Sequence, residues 1–325
     1  MKITAPLRVG IVGSGFVARL RADVLATDDR VKLVALAGNY ENAKEAIAKH
    51  NMAHHNHWSE LVMRPDVDLV IVATVNRDHA AVTSQALRSG KHVVVEYPLA
   101  LDFQEAQELM ELAQNQNLLL HVEHLELLGG LHLAVSANID RIGKPFYVRY
   151  VTQTPAHPAP KKWTYSPELF GFPLIASVSR INRLVVLFGQ VAKVSCQINY
   201  WGEDLPKYHS SCVCNAQLQF TNGVIADVGY SKGESFWKPE RFLEIQGSEG
   251  AILFDREFGK VVTAAGEEEM EIEKSRGLFK RDTENVIAHL FDREPLYSQP
   301  ENSMHSLAVA CAAQKSAKTG TVVSL

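Results

Sequence analysis

The sequence predicts two domains: a doubly wound parallel α/β sheet over residues 1–125, then an α+β domain over residues 126–325 built on a large, mainly antiparallel sheet. Three observations carry that expectation. Apolar strands alternate with amphipathic helices through the first 125 residues, which means a parallel sheet with helices on both faces. After Glu126 the pattern changes to short alternating strands punctuated by turn signals such as Thr221-Asn222-Gly223 and Gly247-Ser248-Glu249-Gly250, the mark of antiparallel pairing. A chain of 325 residues also suits about two domains.

Residues 7–12 (Leu-Arg-Val-Gly-Ile-Val) read as a buried strand, followed by a glycine turn and a helix over 16–26. A second strand is expected at 33–37, a helix at 41–50, a short helix at 58–63 and a strand at 68–73. A helix at 79–89 precedes a strand at 92–95 that ends at Glu96. Asp102 has the side chain and position of an N-cap for a helix running to 115, and 118–122 form a fifth strand. In the second domain, helices are expected at 130–140, 282–291 and 302–318, with the long apolar stretch 173–188 as a further helix. Strands are expected at 146–152, 191–200, 212–220, 224–230 and 242–246.

A net charge of −4 gives no general attraction to nucleic acid or to an anionic membrane. No apolar run approaches the roughly 20 residues that cross a bilayer, and residues 1–7 lack the apolar core of a secretory signal. Cys196, Cys212, Cys214 and Cys311 are too few and too irregular for a disulfide framework. They are expected as reduced structural thiols in a cytoplasmic protein. His54, His55 and His57 are expected in a solvated loop.

Gly13-Ser14-Gly15-Phe16-Val17-Ala18 is G-x-G-x-x-A between a strand and a helix. The first glycine permits the turn, the second admits a pyrophosphate to the backbone, and the small Ala18 allows helix to pack on strand. The helix start offers free N–H groups and a positive dipole end to phosphates. The expected ligand is therefore a dinucleotide. An NAD site would carry Asp or Glu at the end of the second strand, where this chain reads Ala37-Gly38-Asn39-Tyr40. With no carboxylate there, NADP(H) is favoured and NADH is expected as the poorer donor. Asn39 can donate to a 2′-phosphate, and Arg19, Arg21 and Lys44 are candidate charge partners. The alternative is that Glu41 reaches back to the ribose.

The run Thr74-Val75-Asn76-Arg77-Asp78-His79, with Gly90-Lys91-His92-Val93-Val94-Val95-Glu96-Tyr97-Pro98-Leu99-Ala100-Leu101, resembles the glucose-fructose oxidoreductase/inositol dehydrogenase superfamily. That superfamily usually carries Glu-Lys-Pro here, the lysine acting on a sugar hydroxyl, and a histidine on a helix of the second domain. This chain has Tyr97 at the lysine position and Ser179 about where the histidine would lie. Oxidising an alcohol requires a base near neutral pH, and tyrosine and arginine are poor bases. Glu96-Tyr97-Pro98-Leu99, His121-Val122-Glu123-His124-Leu125-Glu126, Phe170-Gly171-Phe172-Pro173 and Ser179-Arg180 are instead similar to the biliverdin reductase branch. Arg183 and the stretch from Pro158 to Tyr165 are similar to its cyanobacterial form.

The resemblance implies NADPH-dependent hydride transfer to the central methine carbon, C10, of biliverdin in heme degradation, with protonation of a pyrrole nitrogen to give bilirubin. It implies a monomer, no metal, and a cofactor held along Gly13, Ser14, Gly15, Phe16, Val17, Asn39, Thr74, Val75, Asn76, His79, Glu96 and Tyr97. It assigns Arg180 to catalysis. Arginine does not deprotonate in proteins, so we expect Arg180 to polarise the pyrrole or lactam or to order a water, with Tyr97 as donor or relay. Arg180 and Arg183, three apart on a helix, suit the substrate propionates. Phe170, Glu123, His124 and Glu126 are expected to shape the pocket or accept from pyrrole N–H groups, with internal ion pairs the alternative for the two glutamates. Two other functions remain open: a sugar or polyol dehydrogenase, and a non-catalytic NADP-sensing regulator.

Overall fold

The computed structural model describes residues 5–273 and 276–325, so Met1–Thr4 of the amino-terminal stretch considered above lie outside the described residues. In the first unit six parallel strands run β1 (Leu7–Val12), β2 (Val31–Ala37), β3 (Ala53–His55), β4 (Leu69–Val72), β5 (His92–Val95) and β6 (Leu120–Val122). Their order is β3-β2-β1-β4-β5-β6, so the order reverses beside β1, the place where doubly wound sheets bind ligands at their carboxyl edge. Between the strands lie α1 (Phe16–Leu25), α2 (Tyr40–His50), α3 (Trp58–Val62), α4 (His79–Arg88) and α5 (Phe103–Asn115). The cap on α5 forms as the sequence predicts: the Asp102 carboxylate accepts from the Gln104 and Glu105 N–H groups.

The histidine run departs from expectation. His54 and His55 form part of β3, an edge strand in parallel register with β2, and the His54 Nε2 lies 2.9 Å from the Gly38 carbonyl oxygen. A three-residue strand is too short for its alternation to be read from sequence.

The second unit starts with α6 (Gly130–Asn138) and β7 (Pro145–Pro155), followed by α7 (Pro167–Phe170), α8 (Pro173–Ala176) and α9 (Val178–Phe188). The stretch expected as one helix over 173–188 is thus two. Its break falls at Ser177, whose hydroxyl donates to the Pro173 carbonyl at 2.7 Å and whose backbone has left the helical region, the side-chain competition that serine brings to a helix interior. Strands β8 (Val191–Trp201), β9 (Ser211–Phe220), β10 (Ile225–Gly233), β11 (Glu240–Gly247), β12 (Gly250–Asp255), β13 (Phe258–Thr263), β14 (Gly266–Glu269) and β15 (Val323–Ser324) complete it. The nine-stranded order is β14-β13-β12-β11-β7-β10-β9-β8-β15. Among the described residues of this sheet only the β7–β10 pairing is parallel, so the sheet is mixed and mostly antiparallel.

Alternation along β9 sorts the two faces. Cys212, Cys214, Ala216, Leu218 and Phe220 are buried, while Asn215, Gln217 and Gln219 are exposed. Cys196, Cys212 and Cys214 are buried free thiols; Cys196 and Cys214 touch through their sulfurs at 3.6 Å, and burial pushes the Cys212 thiol up to about 11.

Two helices follow the sheet, α10 (Leu278–Asp292) and α11 (Pro300–Thr319). Residues 277–304, expected with the second domain, pack with residues up to Leu125 instead, and the second unit comprises Glu126–Arg276 and His305–Leu325. The cause is the apolar face of α10: Val286, Ile287 and Leu290 join one buried cluster with Leu7, Val9 and Ile11 of β1 and Ala18, Ala22 and Leu25 of α1. Burying such a stripe is the main source of helix stability in a folded protein.

Candidate functional site

The first unit presents a nucleotide cradle at the β1–α1 turn. Gly13 has φ +130°, and a Cβ there would lie 2.2 Å from the Ala73 carbonyl oxygen, so only glycine fits. At Gly15, the residue preceding α1, an added Cβ meets nothing within 4 Å. That space in front of a helix start is the opening a pyrophosphate requires. Phe16 is exposed and Val17 half-buried at the rim. The Ser14 hydroxyl accepts from the Asn39 N–H at 3.2 Å, tying the glycine loop to the end of β2. These residues fit a dinucleotide.

Asn39 caps α2, its side-chain oxygen accepting from the Asn42 N–H at 3.1 Å. Arg19 donates to the Asn42 carbonyl at 3.1 Å. Glu41 is exposed and pairs with Lys44 at 2.9 Å. No carboxylate lies between Ala37 and Tyr40. Arg21 is a correction: expected as a phosphate partner, it is 1% exposed and turned inward. Its position three after Ala18 and four before Leu25, both buried, puts it on the packed face of α1.

His79 also differs from expectation. It is buried, with Nδ1 2.8 Å from the Pro98 carbonyl oxygen and Nε2 3.2 Å from that of Thr74. It clasps the loop after β4 to the loop after β5, and so positions Thr74, Val75 and Tyr97. Asn76 is likewise buried. Tyr97 is half-buried and its ring lies parallel to that of His124, 6.0 Å away.

Behind these loops lies a charged cluster that no local sequence signal announces. Arg21 donates through Nε and Nη2 to one Glu96 oxygen at 3.1 and 2.9 Å, and through Nη1 to Asp282 and to the Thr283 hydroxyl. His121 Nε2 and the Tyr297 hydroxyl both reach the other Asp282 oxygen, at 2.9 and 2.7 Å. Burial works against charge on Asp282, yet Arg21 and His121 hold it below the ordinary carboxylate range. Glu123 is 1% exposed and accepts from the Leu125 N–H; burial first, and then the charge of Glu96, push its carboxyl well above the ordinary range. His124 is buried, with Nε2 2.9 Å from the Ser303 hydroxyl. Glu123 and His124, expected to line a substrate pocket, are therefore internal. Among the described residues, no cluster of His, Cys, Asp and Glu is arranged to hold a metal ion.

In the second unit the two arginines of α9 separate in role. Arg183, expected to grip a propionate, is 1% exposed. Its Nη2 lies 3.2 Å from the Glu126 carboxylate and donates to the Glu126 carbonyl at 2.9 Å; its Nη1 donates to the Tyr150 hydroxyl. Burial would raise the Glu126 carboxyl, but Arg183, with Arg180 and Arg241, holds it down. Glu126 and Arg183 form an internal ion pair. Arg180 is half-buried and its guanidinium stands 5.4 Å over the Tyr230 ring.

Lys232, which the sequence reading missed, also lies near that ring. Its ammonium lies 4.2, 4.5 and 5.7 Å from the rings of Phe170, Tyr165 and Tyr230 and donates to the Thr164 carbonyl. Burial pulls it down to about 8. A signal existed: Lys232 shares strand parity with buried Ala226 and Val228, and a lysine facing inward from a strand requires a partner. Ser179, at the place of the superfamily's histidine, is buried, and its hydroxyl has no hydrogen-bond partner.

Comparison with known proteins agrees with this arrangement. Residues 7–124 match the oxidoreductase family, NAD-binding Rossmann fold, and residues 137–325 match the oxidoreductase family, C-terminal alpha/beta domain. The chain belongs to this family of NAD(P)-dependent oxidoreductases. It is similar to the crystal structure of biliverdin reductase from Synechocystis sp. PCC 6803 in complex with biliverdin and NADP+, with 42% identity, TM-score 0.94, and coverage of 96% of this chain and 99% of that one. Biliverdin reductase A of Mus musculus is 29% identical across 77% of this chain and 76% of its own length. A 1,5-anhydro-D-fructose reductase of Ensifer adhaerens is 26% identical across 96% of this chain and 97% of its own. Among the described residues no helix is long and apolar enough to cross a membrane.

Proposed function

We propose that the chain is a biliverdin reductase that uses NADPH to reduce the central methine carbon of biliverdin, giving bilirubin. The observation carrying this reading is the chain's likeness to the Synechocystis enzyme over nearly its whole length. The residues support it independently: Tyr97 and a buried Ser179 replace the lysine and histidine that a sugar dehydrogenase needs, so a base for alcohol oxidation is missing, while a reduction calls for a proton donor.

Gly13, Ser14, Gly15, Phe16 and Val17 would hold the pyrophosphate, Asn39 with Arg19 and Lys44 the 2′-phosphate, and Thr74, Val75, Glu96 and Tyr97 the nicotinamide end. The bound dinucleotide supplies the hydride. Arg180, held over Tyr230, polarises the pigment lactam or orders a water against it, and Phe170 gives the flat substrate an aromatic wall. The arginine keeps its own proton throughout. We take the protein to act as a monomer in the cytoplasm.

Mixing the pure protein with biliverdin and NADPH is expected to turn the blue-green pigment yellow while NADPH is consumed. No colour change and no NADPH oxidation would overturn the reading. Arg180→Ala is expected to lose at least about 10²-fold in kcat with NADPH binding unchanged in a fluorescence titration. An unimpaired variant removes the role given to Arg180. A sugar or polyol dehydrogenase, the reading favoured by the anhydrofructose reductase relative, would instead reduce NAD(P)+ on a polyol panel.

A further inference from the structure

Among the described residues three lysine or arginine side chains are buried: Arg21, Arg183 and Lys232. Two of them are neutralised, Arg21 by Glu96 and Asp282 and Arg183 by Glu126. Lys232 has no carboxylate partner among the described residues. Its ammonium donates to the Thr164 carbonyl and faces the rings of Phe170, Tyr165 and Tyr230. The titratable groups acting on it are the Cys212 thiol, opposite it on β9, and the Lys162 ammonium. Neither is an anion at neutral pH. An ammonium carries three donors, and aromatic faces attract a cation without accepting hydrogen bonds from all of them. A buried cation in this state calls for an opposite charge.

A second polar group of the same aromatic box is also unsatisfied. His209 is 4% exposed, its ring lies 5.2 Å from that of Tyr165, and neither ring nitrogen has a hydrogen-bond partner. Burial and the Lys232 charge hold it down at about 4, so at neutral pH it is uncharged and one nitrogen carries an N–H. Lysine and histidine thus lack the same thing, an acceptor. One unneutralised charge among aromatic walls fits a single carboxylate on a flat, apolar body.

We propose that Lys232 receives a propionate carboxylate of the pigment, the part expected of Arg183. The inference rests on the biliverdin reading and adds to it the residue that recognises the acid arm. The carboxylate accepts from the ammonium and supplies the missing counter-charge inside the box. Burial leaves Lys232 titrating at about 8, so the ammonium form predominates at pH 7. Arg180 and Lys232 stand 5.4 and 5.7 Å from the centroid of one ring, that of Tyr230. An arm held at Lys232 therefore fixes its own pyrrole beside Arg180, which is left to act on the pigment nitrogens or lactam.

Biliverdin and its dimethyl ester separate this role from a packing one, because the ester keeps the ring system and loses both negative charges. In Lys232→Met, KM for biliverdin is expected to rise about tenfold or more, the worth of a charge-assisted hydrogen bond, while KM for the ester moves by less than about twofold. Lys232→Arg is expected to recover most of the loss. An equal rise for both pigments, or none for biliverdin, overturns the proposal. Should the methionine variant fail to fold, the wild type alone carries the test. Its kcat/KM for biliverdin relative to the ester is expected to fall between pH 7 and 9.5, as the ammonium loses its proton. Around it His209 is already neutral, and Cys212 and Tyr165 are pushed upward by burial. A ratio that stays flat overturns the proposal. A protein that reduces both pigments with equal KM keeps the biliverdin reading and loses only the anchor, whereas one that reduces neither overturns both.

Discussion

Replacing Arg21 by methionine tests whether the buried cluster holds the first unit together. The side chain is 1% exposed, its carboxylate partner Asp282 has no exposed surface, and the guanidinium also stands 5.0 Å over the Phe279 ring of α10. Methionine fills similar volume but leaves Asp282 facing only His121 and Tyr297, and leaves Glu96 without its arginine partner. Removing one partner of a buried ion pair costs about 3–5 kcal/mol. For a domain of this size each kcal/mol moves Tm by about 2–4 °C, so the unit is expected to melt roughly 6–20 °C lower at pH 7. The pH dependence has a definite sign. In the wild type Asp282 is held below its ordinary range, so its contribution is present above the unfolded pKa and fades only as pH falls through the lower folded value. In the variant the buried, orphaned Asp282 carboxyl binds its proton more tightly folded than unfolded, so the penalty grows as pH rises. Scanning calorimetry of both proteins from pH 5 to 8 is expected to show the gap widening with pH. A Tm change below about 3 °C at pH 7, or an equal gap at both ends, would refute the reasoning.

Gly13→Ala forces a Cβ to 2.2 Å from the Ala73 carbonyl at a φ of +130°; NADPH affinity measured by fluorescence is expected to fall at least about tenfold. Asn39→Asp keeps the cap on α2 but sets a negative charge beside the 2′-phosphate, so the ratio of kcat/KM for NADPH over NADH is expected to drop by about tenfold or more; an unchanged ratio moves phosphate recognition elsewhere. Lys232 is held near 8 by burial and so binds its proton less tightly folded than unfolded. Its share of the unfolding free energy rises from about pH 8 towards the ordinary lysine value, and Lys232→Met is expected to lose that slope in urea titrations at pH 7.5 and 10.

The parallel strands β1, β2, β4 and β5 were legible because each carries an apolar run and is bounded by a helix signal; β5 and α5 fall on their expected residues. Short edge strands were not: β3 has three residues and β15 two, and β12–β14 follow from pairing rather than from any strong period. In the cofactor cradle, glycine spacing translated directly into backbone geometry. The charged residues misled for one physical reason. Arg21 and Asp282 are 261 positions apart, and Arg183 and Glu126 are 57 apart, so nothing local tells a cation reserved for an internal carboxylate from one offered to a ligand. Lys232 was readable by strand parity alone.

The return of residues 277–304 to the unit that begins the chain has a bearing on synthesis. At about 5–20 residues per second, roughly 8–30 s separate the emergence of Leu125 from that of α10. Throughout that interval the hydrophobic flank of β1 and α1 lacks its cover and Arg21 lacks Asp282. The half made first thus finishes folding only after the other half has been translated, and an isolated fragment ending at Leu125 is expected to behave as an unfinished, aggregation-prone piece.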